Sequence, residues 1–222
     1  MEKVISAREL DLGYKKEQSV LKNCSFDINK ADFIFLTGNS GSGKTTFIKS
    51  LYGAVKPRLG ILEVCGVNIT KAGTGRINDL RKKLGVVFQD YKLIEEWSLA
   101  KNVMLPLIIA GYSEDICAKQ VEKLLVHVKL NHKSDDYPKE LSGGEQQRAA
   151  VARALVHNPT VIIADEPTGN LDEYSAEVVM GLLKTANSCG ITVIIATHHI
   201  PSKFDIPYRH FHIEGKMLNE IS

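Results

Sequence analysis

Between positions 38 and 46 the chain reads Gly-Asn-Ser-Gly-Ser-Gly-Lys-Thr-Thr, directly behind the apolar run Phe33-Ile34-Phe35-Leu36. The spacing of Gly38, Gly43, Lys44 and Thr45 is that of a loop in which a strand ends, backbone N–H groups turn inward around an anion, and a helix begins. Gly38, Gly41 and Gly43 permit backbone angles that a Cβ would forbid. Together with Asn39, Ser40, Ser42 and Thr46 they form a cradle for phosphate oxygens. Lys44 is placed to reach the terminal phosphates as a mobile point charge, and the Thr45 hydroxyl suits a Mg²⁺. The helix predicted from 44 to about 52 aims its positive dipole end at the same place. A plain glycine-rich turn between strand and helix would not ask for Lys and then Thr at these positions. The expected ligand is therefore a nucleoside triphosphate with Mg²⁺.

Other residues able to work on a triphosphate stand at the ends of apolar runs. Val161-Ile162-Ile163-Ala164 reads as a central parallel strand and ends in Asp165-Glu166. Two adjacent carboxylates at a buried strand end are costly unless they hold a cation or do acid-base work. Asp165 suits the Mg²⁺ shell, and Glu166 suits the attacking water as general base or positioner. An acid pair capping a helix at a turn is the plainer alternative. A short buried strand at 85–88 delivers Gln89, which can offer its carbonyl to Mg²⁺ and orient water. The strand at 191–196 is followed by Thr197-His198-His199. His198 thus lies on the edge where ligands bind in open α/β sheets and is a candidate γ-phosphate contact. Tyr14, in a turn-rich stretch at 13–18, could stack on a base; taken alone, a turn tyrosine is more often a packed or exposed side chain.

A second helix start has anion-binding character. Leu141-Ser142-Gly143-Gly144-Glu145-Gln146 contains a Ser-x-x-Glu capping box ahead of the helix expected at 149–157. A capping box does not require two glycines in its first turn, where they weaken the helix. Exposed N–H groups beside a serine hydroxyl bind phosphate well. Ser142, Gly143, Gly144 and Glu145 are therefore candidates for a second phosphate contact that lacks its own lysine and threonine.

These residues need an α/β scaffold. Runs at 4–12 and 24–28 suggest an antiparallel hairpin across the turn at 13–18, and 60–64 with 67–69 suggests another. A helix is expected over about 74–84. From 98 to about 137 no β pattern occurs, and Cys117, Val121, Leu124, Leu125 and Val128 recur at helical spacing behind Ser113 as N-cap, with Pro106 and Gly111 breaking the preceding helix. An amphipathic helix at 173–188, stopped by Gly190, and a last hairpin around Glu214-Gly215 complete the pattern. The expected organisation is one domain over 1–222, with β and core segments at 1–90 and 159–222 and a helical subdomain inserted at 91–158.

The 222 residues can bury a sizeable core, and 44% hydrophobic with 24% charged residues is ordinary for a globular protein. A net charge of +2 and a pI near 8.2 are too mild for a nucleic-acid footprint, so no nucleic-acid partner is expected. Cys24, Cys65, Cys117 and Cys189 lie far apart with no metal-ligand spacing and read as reduced and mostly buried. The apolar stretch at 103–110 is too short to span a bilayer, and the N-terminus lacks an apolar signal core. The chain is expected in the cytoplasm, reaching a membrane through a partner.

Taken together, the motifs resemble the nucleotide-binding subunits of ABC ATPases, in the family's order and over nearly the whole chain. Gly38 to Thr45 matches Walker A, Gln89 the Q-loop, Leu141 to Gln146 the signature, Ile162 to Glu166 Walker B, Gly169-Asn170-Leu171-Asp172 the D-loop, and His198 the switch histidine. The signature is the specific feature, because phosphate loops alone are shared with kinases, GTPases and helicases. The resemblance implies a P-loop, RecA-like core with an N-terminal antiparallel β subdomain and the inserted ABC-type helices. It also implies ATP with Mg²⁺, hydrolysis to ADP and phosphate, and a homodimer sandwiching two ATPs head to tail. Tyr14 then becomes the adenine-stacking residue. The runs at 85–94 and 102–111 are similar to those of the FtsE cell-division ATP-binding family, which implies an FtsX-like integral membrane permease as partner and a location on the inner face of the cell membrane. Lipoprotein-release and macrolide-export ATPases share the run at 164–172 and are the alternative. A soluble ABC ATPase acting on nucleic acid or ribosomes, or a scaffold, would carry tandem cassettes, a coiled-coil insert or basic arms, none of which is visible. His199 stands where the family usually has Asp, and Lys30-Ala31-Asp32 replaces its common Pro-Gly-Glu turn.

Overall fold

The computed structural model describes residues 2–15 and 18–221. In chain order the elements are β1 (Lys3–Lys15), β2 (Gln18–Asn29), β3 (Phe33–Gly38), α1 (Lys44–Leu51), β4 (Leu59–Val64), β5 (Val67–Asn68), α2 (Thr74–Arg81), β6 (Leu84–Val87), α3 (Leu99–Ala110), α4 (Glu114–His127), α5 (Gly143–Leu155), β7 (Val161–Asp165), α6 (Glu173–Ser188), β8 (Thr192–Ala196), β9 (Arg209–Glu214) and β10 (Met217–Ile221). Among the described residues they form an antiparallel four-stranded sheet in the order β2-β1-β4-β5 and a six-stranded sheet in the order β10-β9-β3-β8-β7-β6. The larger sheet is parallel from β9 through β6, and β10 closes its edge antiparallel to β9.

Strands β3, β7 and β8 are apolar throughout because both of their faces are covered, and alternation sorts their side chains into two cores. Ile34, Leu36, Ile163, Ile194 and Ala196 point to one side and pack with α1 and the antiparallel sheet. Phe33, Phe35, Ile162, Ala164, Val193 and Ile195 point to the other and pack with α5 and α6. A third cluster joins Leu99, Val103 and Leu107 of α3, Cys117, Val121 and Leu125 of α4, and Ala149, Ala152 and Val156 of α5. Helix α5 therefore touches the sheet with one side and the helical layer with the other.

Several expectations need correction. Pro106 does not break α3; the helix runs through it to a left-handed C-cap at Gly111. An interior proline costs a helix about 3 kcal/mol, but burial of Leu99, Val103 and Leu107 on both sides of it holds the segment helical. Helix α5 starts at Gly143 rather than at 149, because the Ser142 cap tolerates the two glycines in the first turn. Helix α2 ends at Arg81, since Leu84 is claimed by β6 through its pairing with Val161. Strand β1 extends through Gly13 and Tyr14 to Lys15, so most of the expected turn is strand; Lys16 and Glu17 of that stretch lie outside the described residues. All four cysteines are free, but Cys189 is exposed and Cys65 half-buried.

Asn102 shows how the helical layer is tied to the site. It is fully buried, its Oδ1 accepts from Ile94 N at 2.7 Å, and its Nδ2 is shared among the carbonyls of Ile94, Trp97 and Ser98 at 3.0–3.2 Å. One side chain thus replaces secondary structure for the segment that joins the Gln89 loop to α3. Replacing Asn102 with Ala leaves these buried groups unpaired and is expected to cost about 3 kcal/mol, read as a lowered urea midpoint at unchanged slope.

Candidate functional site

Strand register brings the predicted residues together. Leu36 pairs with Ala196, Ala196 with Asp165, and Val87 with Ala164. Just beyond these pairs the chain leaves the sheet at the same edge, with β3 running on to Gly38 beside β9. Gly38, Gln89, Glu166 and His198 follow from that geometry, and Gln89 and Glu166 fall level with each other.

The phosphate loop is built on left-handed glycines. At Gly43, with φ of 115°, a Cβ would stand 2.5 Å from Val20 Cγ1; at Gly38, with φ of 150°, it would stand 2.5 Å from Ser42 Oγ and 2.7 Å from the Ile213 carbonyl. Helix α1 starts immediately after Gly43. Lys44 is only 6% exposed, and its Nζ donates to the carbonyls of Gly38 at 2.7 Å and Asn39 at 3.3 Å. An ammonium has three protons, so one remains for an incoming oxygen. The Ser42 hydroxyl is buried and has no hydrogen-bond partner among the described residues. Tyr14 is 63% exposed at the rim, where its hydroxyl lies 3.4 Å from Thr46 Oγ1.

Glu166 is the meeting point of the other candidates. Its backbone is left-handed, with φ of 47°, which turns its side chain off the strand's line. Oε1 lies 2.9 Å from His198 Nε2, and Oε2 accepts from Gln89 Nε2 at 3.3 Å. Each carboxylate oxygen keeps a second lone pair able to accept from a water. Because Gln89 donates through its nitrogen, its carbonyl oxygen is free to face a cation. Burial lifts the neighbouring Asp165 carboxyl above the usual carboxylate range; a hydrogen bond from the Thr45 hydroxyl opposes this, and the Glu166 charge adds to it. Hydroxyl, carboxylate and amide oxygen are hard donors of the kind Mg²⁺ takes, so Thr45, Asp165 and Gln89 fit that ion. The cleft that Lys44, Thr45, Gln89, Glu166 and His198 share has a volume of about 540 Å³.

Ser142, Gly143, Gly144 and Glu145 do not line this cleft. Ser142 Oγ accepts from Glu145 N at 3.3 Å, and Glu145 Oε2 in turn accepts from Ser142 N at 2.7 Å and Ser142 Oγ at 2.8 Å. Burial pushes the Glu145 carboxyl up, but these bonds outweigh it and leave the group below the usual range. Gly144 has a packing reason as well: a Cβ there would stand 2.4 Å from Ser175 Oγ. Ser175 is buried and bonded through N and Oγ to Asp172 at 2.9 and 2.8 Å. The start of α5 is thus pressed directly onto the start of α6.

The sequence profile described as ABC transporter matches residues 21–169, more than half of the chain. The chain belongs to the ABC transporter family. The cell division ATP-binding protein FtsE of Streptococcus pneumoniae (serotype 2, strain D39) is 39% identical over 99% of this cassette and 96% of its own length. The Mycobacterium tuberculosis FtsE is 42% identical over 80% of the cassette and 77% of its own length. Among solved structures, the ATP-binding cassette MJ0796, dimeric and bound to ADP and Pi in a post-hydrolysis state, matches with a TM-score of 0.88 at 31% identity, covering 98% of this cassette and 97% of that chain. The cbiO1 subunit of Clostridium perfringens, part of the cbiONQ transporter complex, gives 0.86 at 29% identity, covering 99% and 88%. The cassette is an ATP-hydrolysing ABC subunit of FtsE type.

Arg153 was not singled out by the sequence reading. It is 8% exposed on α5, and its guanidinium donates to the carbonyls of Lys92 at 2.6 Å and Tyr91 at 2.5 Å. Burial lowers its pKa, and both residues it grips are left-handed, with φ of 56° at Tyr91 and 50° at Lys92. An arginine on an otherwise apolar, alanine-rich helix face was the available signal. The cassette thereby couples the signature helix to the loop that carries Gln89.

Asp165 gives a test of sign. The folded protein keeps that proton to a higher pH than the unfolded chain, so ionised Asp165 costs stability at neutral pH, and the cost vanishes below the ordinary carboxylate pKa. Asp165→Asn is expected to raise the Tm of the nucleotide-free cassette while lowering Mg²⁺-dependent turnover about 10²-fold or more. Scanning calorimetry and a phosphate-release assay check the two halves.

Proposed function

We propose that two copies of the cassette close head to tail on two ATP molecules, and that closure drives an FtsX-type integral membrane subunit in cell division. The observation that carries this reading is the separation of the signature from the chain's own nucleotide cleft. Ser142, Gly143 and Gly144 present a capped helix N-terminus suited to phosphate, and in one chain that N-terminus has no nucleotide to meet. A second copy would supply one. The dimeric state of MJ0796 and the FtsE relatives support the reading.

In this assignment the backbone of 38–46 and Lys44 hold the phosphates, and Tyr14 stacks on adenine. Thr45, Asp165 and Gln89 would hold Mg²⁺, which would supply charge neutralisation for the triphosphate. Glu166 accepts a proton from the attacking water, with Gln89 and His198 fixing its two oxygens, and His198 swings to the γ-phosphate when ATP fills the cleft. Ser142, Gly143 and Gly144 contact the partner copy's γ-phosphate, while Glu145 holds the Ser142 cap in shape. The segment 91–158 acts as the lever between the two sites.

The membrane subunit docks, in this reading, on a groove of about 670 Å³ between the sheet and α3. Phe88, Pro106 and Ile109 supply apolar surface, Arg81, Lys82 and Lys92 supply positive charge, and no carboxylate of the described residues lines it. That chemistry fits an amphipathic, acidic helix, which would press on the residue next to Gln89. No helix among the described residues is long and apolar enough to cross a membrane, in keeping with a cassette held on the inner face of the cell membrane by its partner.

Glu166→Gln is expected to lower turnover about 10²-fold or more and to accumulate an ATP-bound dimer, measured by size exclusion with light scattering. A monomer hydrolysing ATP at the wild-type rate would remove Glu166 from its role. Ser142→Arg is expected to abolish cooperative hydrolysis while nucleotide affinity stays within a few-fold; equal loss of binding would contradict the trans arrangement. Ile109→Asp is expected to lose co-purification with the membrane subunit while the isolated cassette keeps its ATPase rate.

A further inference from the structure

A second cleft adjoins the nucleotide site beyond Ser40 and His198, and nothing above uses it. It has a volume of about 690 Å³. Its walls carry His198, His199, His210 and His212, four of the protein's seven histidines, and no carboxylate among the described residues. His210 and His212 stand two apart on β9, so both rings leave the same face of the strand. Register sets Thr37, the residue before Gly38, abreast of His212. Thr37 Oγ1 lies 2.6 Å from His210 Nε2 and 2.7 Å from His212 Nδ1.

We propose that this cleft is a binding site for inorganic phosphate leaving the γ position, with His199, His210 and His212 as its donors and with a proton delivered to the His210–His212 pair on binding, from the phosphate itself or from solvent. The inference rests on the ATP hydrolysis assigned to the neighbouring cleft. Hydrogen-bond accounting supplies the coupling. The Thr37 hydroxyl has one proton, so with both rings neutral it donates to at most one ring and accepts from the other. The ring that accepts from Thr37 carries its proton on its outer nitrogen and offers a donor to the cleft. The ring that donates to Thr37 has a bare outer nitrogen and repels an anion. A fully ionised oxyanion such as sulfate, bound against both rings, therefore requires at least one added proton, which converts the bare nitrogen into a donor; hydrogen phosphate can deliver that proton from its own P–OH.

The surroundings favour an anion over a cation. On the face shared by His210 and His212, β3 contributes Phe35 and Thr37, and β10 contributes Met217, Asn219 and Ile221. His198 and His199 face them from the segment after β8, and Asn39 and Ser40 from the phosphate loop. Glu214 follows His212 on the same strand face but is exposed at the turn and does not line the cleft. Glu220 pairs with Arg209 on the opposite face. Burial and the neighbouring His212 both lower the His210 pKa. Among the described residues, no group of three or more His, Cys, Asp or Glu side chains could hold a metal ion.

The test loads the cassette with Mg²⁺ and a non-hydrolysable ATP analogue, which fills the γ position, and then titrates inorganic phosphate by calorimetry in buffers of different ionisation enthalpy. Sulfate, which does not titrate in this range, runs as a parallel arm. One anion is expected per chain, with proton uptake in the sulfate arm, and sulfate should bind about tenfold tighter per unit fall in pH, the slope for one linked proton. His210→Asn with His212→Asn should weaken both anions at least tenfold with unchanged affinity for the analogue; the Gln pair replaces it if the Asn pair does not fold. Equal anion affinity in wild type and variant, or sulfate binding without proton uptake, would overturn the proposal. Failure of the analogue to bind would count against the nucleotide assignment instead, and the same wild-type and variant comparison without nucleotide would still decide the histidine site.

Discussion

Four parallel strands, β3, β8, β7 and β6, end level with one another, and the site depends on that alignment more than on any single bond. A parallel pair fixes register along its whole length, and a slip by one residue would turn every side chain to the wrong face. Leu36, Ala196 and Asp165 are held abreast because their neighbours are sorted between two cores. The chemistry then lies one or two residues beyond the last core residue of each strand. Packing of Ile163 and Ile194 is in this sense part of the geometry at Glu166.

The same alignment explains what was readable in the sequence. The phosphate loop, the acid pair and His198 each follow an uninterrupted apolar run, so strand ends and chemistry could be located together. Helix α6 was bounded correctly at 173 and 188 because the amphipathic period and the terminal glycine agree. Pro106 was misread because a local rule was applied where tertiary burial decides. Arg153 left only its charge on an apolar helix face as a signal; its partners and those of Asn102 are backbone groups that no residue pattern marks, and Gly144 meets Ser175 across a Cβ-sized gap from a segment distant in sequence. A pair such as His210 and His212 carries a strand-face pattern, but its meaning depends on Thr37 from a strand distant in the chain.

Three contacts tie the parts that hydrolysis must coordinate. Gly144 against Ser175 joins the signature to the D-loop helix, Arg153 joins the signature helix to the loop after Gln89, and Asn102 joins that loop to α3. Arg153 and Asn102 are buried and bond to backbone groups, whereas Gly144 is a half-buried close approach to the buried Ser175 side chain. Buried polar contacts of this kind are high-stakes because a half-made one is costly. The helical layer is accordingly coupled to the nucleotide cleft by contacts that are either made or lost.

The gap at Gly144 has one further consequence. A Cβ there would stand 2.4 Å from Ser175 Oγ, so the two helix starts pack with no space for a side chain between them. Movement of the signature would be felt directly at the start of the D-loop helix. In the proposed head-to-tail dimer, closure on one nucleotide would thereby reach the D-loop segment of the same chain without passing through a flexible linker.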